Sequence, residues 1–337
     1  MSILSLDDVP KINDPYVWAD YLELHCLASQ DNIASIDSAA KEARSQSDNG
    51  IDTELFDELG SDPTYILSPE ANDKVLGYAE DALRLTYTRS KFYGEIYPFE
   101  VDKTGKELSL KNDLTFEQHL YIALLLCSNH AYCVPHKDIF TLGFEKISKY
   151  AFKGILPPEG VVMHLGTRQG DDDDVVETAT NKLLDKIKAI AVRLNLKCIA
   201  DDKEFSDHNT GDGGIDLIGL ISISEEGMGE EIISFGQSAT SKIKDEIYKK
   251  QGDAAYSKWC KWIKFNSTTN NYLFIAASIR KNDGSFITGL SRNSEAIIID
   301  RGRIIRFISS WRQRSEENSK ALVIPGDIND CITQLVA

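Results

Sequence analysis

The apolar positions of the chain follow two different periods. Over residues 15–29, Val17, Tyr21, Leu24, Leu27 and Ala28 recur every three or four positions, which predicts a helix with one buried face. Ser38 to Gly60 is polar and acidic and reads as a loop with a short helix. Ser68-Pro69-Glu70 is a helix start, with Ser as the cap and Pro in the first turn, and that helix is predicted to run to about Ser90. Tyr93 to Leu110 reads as a loop or small hairpin. Asp113 to Tyr132 is a further helix, with Leu114, His119, Ile122, Leu125 and Leu126 toward the core and Pro135 beyond its end. Gly154 to Gly170, with Pro157-Pro158 and Gly160, reads as a linker between a mostly helical domain, 1–165, and a second domain, 166–337.

The second half changes period. Asp173 to Leu194 carries a helical stripe of Val176, Leu183, Leu184, Ile187, Ile190 and Ala191. Leu196 to Ala200 is a predicted first core strand, followed by a polar loop from Asp201 to Asp212. Gly211 to Ser241 then holds two β-rich runs, Ile215–Ile221 and Ile232–Gln237, around a Gly- and Glu-containing turn, which is a hairpin signal. Ser241 to Phe265 reads as a lysine-rich helix that Gly252 breaks or kinks, with Tyr256, Trp259, Trp262 and Ile263 on its apolar side. Tyr272 to Ser278 has the composition of a buried strand. Ala296–Asp300 and Ile304–Ile308 read as two strands around Asp300-Arg301-Gly302, and a helix near Ile328 to Leu335 closes the chain. No solenoid period is present. The expected class is α/β (α+β): a helical N-terminal domain and a C-terminal domain with a central mixed sheet flanked by helices.

Composition narrows the function classes. The longest apolar run, Leu120 to Cys127, is too short to span a bilayer, and the first residues lack a basic stretch followed by an apolar core. Six scattered cysteines fit reduced thiols, so a cytoplasmic location without membrane association is expected. The net charge of -16 opposes nucleic-acid binding if spread evenly. It is uneven: from Gln237 to Arg314 eight Lys and seven Arg face six Asp or Glu, a local excess of nine positive charges. Such a segment suits phosphate backbones; ordinary fluctuation of surface charge is the plainer alternative. The acidic remainder would face a protein partner or repel DNA from the wrong surface.

Several groups of side chains are candidates for chemistry. Cys127, His130, Cys133 and His136 are zinc-ligand types, but their spacing of three along one helix end does not surround an ion, so a buried helix end is the better reading. Asp171 to Asp174 suit the dipole of a helix start. The GDGG sequence at 211–214 lacks the Lys-Ser or Lys-Thr of a phosphate loop and leads into a strand. Glu204, Asp207 and His208 lie on a polar loop, where solvation is the simpler account. Asp216 differs: it is one acid inside an aliphatic strand, costly to bury unless a cation or donors meet it. Antiparallel pairing of the hairpin places it beside Gln237, and Gln237 and Ala239 share one face of their strand.

The Gly213-Gly214-Ile215-Asp216 strand, followed by a strand ending Gln237-Ser238-Ala239, resembles the PD-(D/E)XK nuclease superfamily, particularly its Mrr-like restriction-endonuclease branch. The resemblance covers about the last half of the chain. It implies a restriction endonuclease-like fold, with Asp216 as metal-binding acid and Gln237 in the place of the second acid or glutamine. Ala239 stands where that family has lysine, a departure that leaves Lys242 or Lys258 to supply the cation. Glu177, on the helix before the first strand, would be a further metal ligand. The resemblance implies a Mg²⁺- or Mn²⁺-dependent endonuclease cutting DNA in prokaryotic defence against phage or foreign DNA. A partner subunit or homo-oligomer is expected, with residues 1–165 selecting substrate or partner. Two other readings stay open: a non-catalytic nuclease-like module that binds nucleic acid or scaffolds a complex, and an RNA (tRNA) nuclease.

Overall fold

Helix α1, Pro15–Ala28, begins with proline in its first turn and is buried on every side from Tyr16 to Leu27. A helix enclosed in this way loses the contrast between faces, and its two acids, Asp20 and Glu23, are buried as well. The structure, a computed structural model, describes residues 3–6, 10, 14–35, 69–134, 137–165, 175–176, 182–205, 213–223, 231–287 and 295–336. The chain forms two units. One comprises Met1–Thr141, Ser278–Ile287 and Ile324–Ala337; the other comprises Leu142–Ala277 and Thr288–Val323.

In the first unit, strands β1 (Ile33–Ser35), β2 (Phe99–Val101) and β3 (Glu107–Leu110) form an antiparallel sheet in the order β1-β3-β2. Helix α2 (Pro69–Tyr93) precedes β2, and α3 (Phe116–Ser128) follows β3. Thr115 and Gln118 cap α3 reciprocally. The expected hairpin within 93–110 is present as β2–β3, and a helix at Gly326–Val336 ends the described chain. Arg89 on α2 meets the buried acids of α1: its Nη1 lies 2.7 Å from Asp20 Oδ1 and 2.7 Å from Glu23 Oε1. The Tyr97 and Tyr121 hydroxyls donate to Glu23, and Asn129 Nδ2 donates to Asp20. Cys127 and Cys133 are buried, and His130 Nδ1 lies 3.0 Å from the Cys127 carbonyl oxygen. His136 and residues 38–60 fall outside the described residues.

The second unit contains most of α4 (Lys137–Ile155), then β4 (Val161–Leu165), β5 (Val175–Val176), α5 (Leu183–Arg193), β6 (Lys197–Cys198), β7 (Leu217–Ser222) and β8 (Glu231–Ala239). Helices α6 (Lys244–Gln251) and α7 (Tyr256–Trp259), strands β9 (Ile263–Lys264), β10 (Asn270–Ile275) and β11 (Ile297–Ile299), and helices α8 (Arg301–Arg312) and α9 (Glu316–Lys320) complete it. Six strands form a mixed sheet in the order β11-β10-β8-β7-β4-β5. The β4–β7 and β7–β8 pairs are antiparallel; β4–β5, β8–β10 and β10–β11 are parallel. On one face Met163, Ile218, Leu220, Ile233 and Phe235 pack with Ile187, Ile190 and Leu194 of α5 and with Trp259. On the other, Gly219 and Gly236 leave room for Phe152 of α4: a Cβ at Gly219 would stand 2.6 Å from its ring and one at Gly236 3.1 Å. The protein is thus mixed α/β, with helices flanking a mixed six-stranded sheet. Among the described residues no helix is long and apolar enough to cross a membrane.

Several expected elements are corrected. The segment read as a linker, 154–170, contains β4, a sheet member bonded to β7. The helix expected over 173–194 spans Leu183–Arg193, and Val175–Val176 is a strand beside β4. Of the strand expected at 196–200, Lys197–Cys198 pairs with β9 in a separate two-stranded sheet. The single helix expected over 241–265 is two short helices: Gly252 caps α6, and residues 252–255 turn the chain before α7. Ile304–Ile308 is helical, because the Asp300 side chain accepts from Arg303 N and starts α8. Ile304, Ile305, Ile308 and Trp311 then recur with helical period inside the core.

Candidate functional site

The site grows from the hairpin β7–β8. Leu217 pairs with Gly236 at the end of the ladder, and Asp216 N also donates to Gly236 O at 3.0 Å, so Asp216 and Leu217 both meet the residue that precedes Gln237. Asp216 is held on both flanks, since its carbonyl accepts from Leu165 N at 2.9 Å and its Oδ2 accepts from Ser238 N at 2.6 Å. The cost of a carboxylate at the mouth of an apolar strand is met in part by that backbone donor.

The two glycines before Asp216 explain how further side chains arrive. Gly213 and Gly214 have φ of 65° and 86°. A Cβ at Gly213 would lie 2.8 Å from the Trp259 ring, and one at Gly214 2.2 Å from Asp253 Cβ. The connector between α6 and α7 therefore rests directly on the glycine turn. Trp259 Nε1 donates to the Asp253 carbonyl at 3.2 Å, and the Asp253 carboxylate reaches the site, where its Oδ2 accepts from Gln237 Nε2 at 3.3 Å. Lys258 Nζ donates to Gly213 O at 2.8 Å and lies 4.0 Å from Asp253 Oδ1. At side-chain exposures of 34% and 46%, that ion pair contributes about 1 kcal/mol or less to stability. Gln237 is 5% exposed, and its Oε1 has no hydrogen-bond partner among the described residues.

The structure thus brings together Asp216, Gln237 and Lys258 of the expected site and adds Asp253. Lys242 is half-buried on the segment that leaves β8. Glu177, Asp207 and His208 lie outside the described residues, and Glu204 is on an exposed turn at 202–204. Ala239 is buried opposite Ile275 of β10, so its position offers no cation from β8 itself. Reasoning from sequence missed Asp253; the available signal was an acid immediately after the glycine that interrupts a lysine-rich helix.

Among the described residues no three His, Cys, Asp or Glu side chains form a metal-holding group. What the site offers is two carboxylates, Asp216 and the Asp253 that holds the Gln237 amide nitrogen, and one buried amide oxygen without a partner among the described residues, Gln237 Oε1. All are hard oxygen donors, and Mg²⁺ or Mn²⁺ held by one or two such groups keeps water in its other positions. The donor chemistry fits a hard divalent cation. The molecule is a mixed α/β protein with an oxygen-lined cluster and a lysine at the end of a sheet hairpin. In comparisons with protein families, curated proteins and solved structures, no family model, relative or structure matches the chain.

Proposed function

We propose that the second unit is a divalent-metal-dependent endonuclease of the PD-(D/E)XK, restriction endonuclease-like class, hydrolysing DNA phosphodiester bonds in prokaryotic defence. The observation that supports this reading best is the gathering of Asp216, Gln237, Asp253 and Lys258 around the glycine turn: Asp216 Oδ2 accepts from Ser238 N, the residue after Gln237, and the buried Gln237 Oε1 has no hydrogen-bond partner among the described residues. Asp216 and Gln237 would hold the ion. A bound Mg²⁺ or Mn²⁺ supplies charge at a phosphate oxygen and a more acidic water. Lys258 takes the role of the lysine missing at Ala239: its ammonium, anchored on Gly213 O, offsets charge that develops on the phosphate. The exposed Lys244, Lys249, Lys261 and Lys264 are suited to the nucleic-acid backbone. The first unit would select the substrate or bind the partner subunit.

Plasmid incubated with the purified chain and Mg²⁺ or Mn²⁺ tests the reading. Cleavage is expected, with loss on Asp216→Ala and a fall of about a hundredfold or more on Lys258→Ala. Cleavage that survives Asp216→Ala overturns the assignment. The neutral Gln237 and the apolar Ala239 favour a second reading, a non-catalytic nucleic-acid-binding or scaffold module. Calorimetry with Mn²⁺ separates the two, since only that module would bind no metal. A matched RNA substrate, including tRNA, decides between DNA and RNA as the target.

A further inference from the structure

Gln237 is held at one end only. Its Nε2 donates to Asp253 Oδ2 at 3.3 Å, while its Oε1, in a side chain 5% exposed, has no partner among the described residues. An amide can flip, and a carboxylate can accept but never donate. The Asp253 contact therefore fixes which end of the amide is which. It turns the nitrogen toward the α6–α7 connector and leaves the oxygen for another ligand. A buried acceptor left unmatched is costly, so the arrangement is favourable when a donor or a cation meets Oε1.

Asp253 is itself firmly placed. Its Cβ sits where Gly214 has no side chain, its carbonyl accepts from the Trp259 indole, and Lys258 stands 4.0 Å from its other oxygen. This ordering extends from the glycine turn through Asp253 to Gln237, whose chain neighbour Ser238 donates its N–H to Asp216 Oδ2 at 2.6 Å.

We propose that Asp253 is the positioning residue of the metal site: it orients the Gln237 carboxamide so that Oε1 faces the divalent ion held with Asp216. The inference rests on the metal-dependent reading of that site and assigns a role that the PD-(D/E)XK resemblance does not provide. It also accounts for glutamine at 237. A glutamate there would set two carboxylates about 3 Å apart, which like charges oppose.

The experiment is a charge exchange read by Mn²⁺ calorimetry on the full chain. Wild type is expected to bind Mn²⁺, and Asp216→Asn to abolish binding. Asp253→Ala frees the amide and is expected to weaken binding about tenfold or more, as loss of a ligand's hydrogen-bond partner does. The double variant Gln237→Glu/Asp253→Asn keeps the net charge and rebuilds the contact with donor and acceptor exchanged. It is expected to return affinity to within about threefold of wild type or better, where a merely structural Asp253 would show no rescue. In the metal-free protein, the Gln237 side-chain NH₂ resonances are expected to move on Asp253→Ala. Binding that Asp216→Asn removes but Asp253→Ala leaves intact overturns this inference alone. Failure of the exchange to rescue also overturns it. Absence of Mn²⁺ binding by wild type overturns the metal reading and this inference together.

Discussion

Gly214→Ala tests the link between the glycine turn and the site. At φ 86° an L-residue is in the left-handed half of the map, which costs about 1–2 kcal/mol. The new Cβ would stand 2.2 Å from Asp253 Cβ and 2.9 Å from Asp253 C. Ordinary carbon contacts are about 3.5–4.0 Å, so the connector must retreat by about 1 Å or more. The nearest atoms belong to backbone and a Cβ rather than to a mobile side-chain end, and such overpacking costs about 1–3 kcal/mol. Together the effects predict a loss of about 2–5 kcal/mol, or roughly 5–15 °C in Tm for a domain of this size. The same retreat lengthens the Gln237–Asp253 contact beyond hydrogen-bonding range, so Mn²⁺ affinity should fall as it does for Asp253→Ala. Gly105→Ala is the control: φ is 67° there and no atom lies within 4 Å of the added Cβ, so only the conformational cost applies. Thermal unfolding followed by circular dichroism, with Mn²⁺ calorimetry on the same samples, gives both readings. If Gly214→Ala costs no more than Gly105→Ala, or destabilises the fold without altering Mn²⁺ binding, the proposed coupling is wrong.

Two further predictions concern the first unit. Arg89→Met leaves Asp20 and Glu23 buried without their cation, and removing one member of such a cluster costs about 3–5 kcal/mol; adding Asp20→Asn and Glu23→Gln should recover most of that loss in urea unfolding, and a triple variant less stable than the single one would refute the account. Burial lowers the His25 pKa from 6.5 to about 4, so the unfolded chain binds the proton first. The neutral ring's contribution is complete above pH 6.5 and is lost as pH falls toward 4, a decline of up to about 3 kcal/mol. The ring proton resonances should titrate near 4, and His25→Phe should remove this part of the acid dependence.

How much of this was legible in the sequence depends on the range over which each feature is determined. The β7–β8 hairpin was legible, because alternation and a nearby turn fix its register locally. Strand β4 was not: Val161–Leu165 follows two prolines, and its identity comes from β7, more than fifty residues later. The β-branched run at 304–308 read as strand, but one cap at Asp300 and a period of 3.6 made it helix. Glycines 219 and 236 have their cause in Phe152, a ring from another element against that face of the sheet.

Asp253 and Lys258 show why a motif alone underdetermines a site. The sequence departs from the nuclease pattern with a neutral amide at 237 and an alanine at 239. Both departures meet their counterparts on the segment that runs from Gly252 through α7. Asp253 supplies the carboxylate beside the amide, and Lys258 supplies an ammonium that β8 lacks. That segment can reach the site only because positions 213 and 214 have no side chains to hold it off. Within the proposed reading, the glycine pair is therefore part of the catalytic design: it exchanges side-chain volume just before β7 for the approach of an acid from the α6–α7 turn and a lysine from α7. Restoring a glutamate at 237 and a lysine at 239 without removing Asp253 and Lys258 should accordingly crowd like charges rather than improve the site.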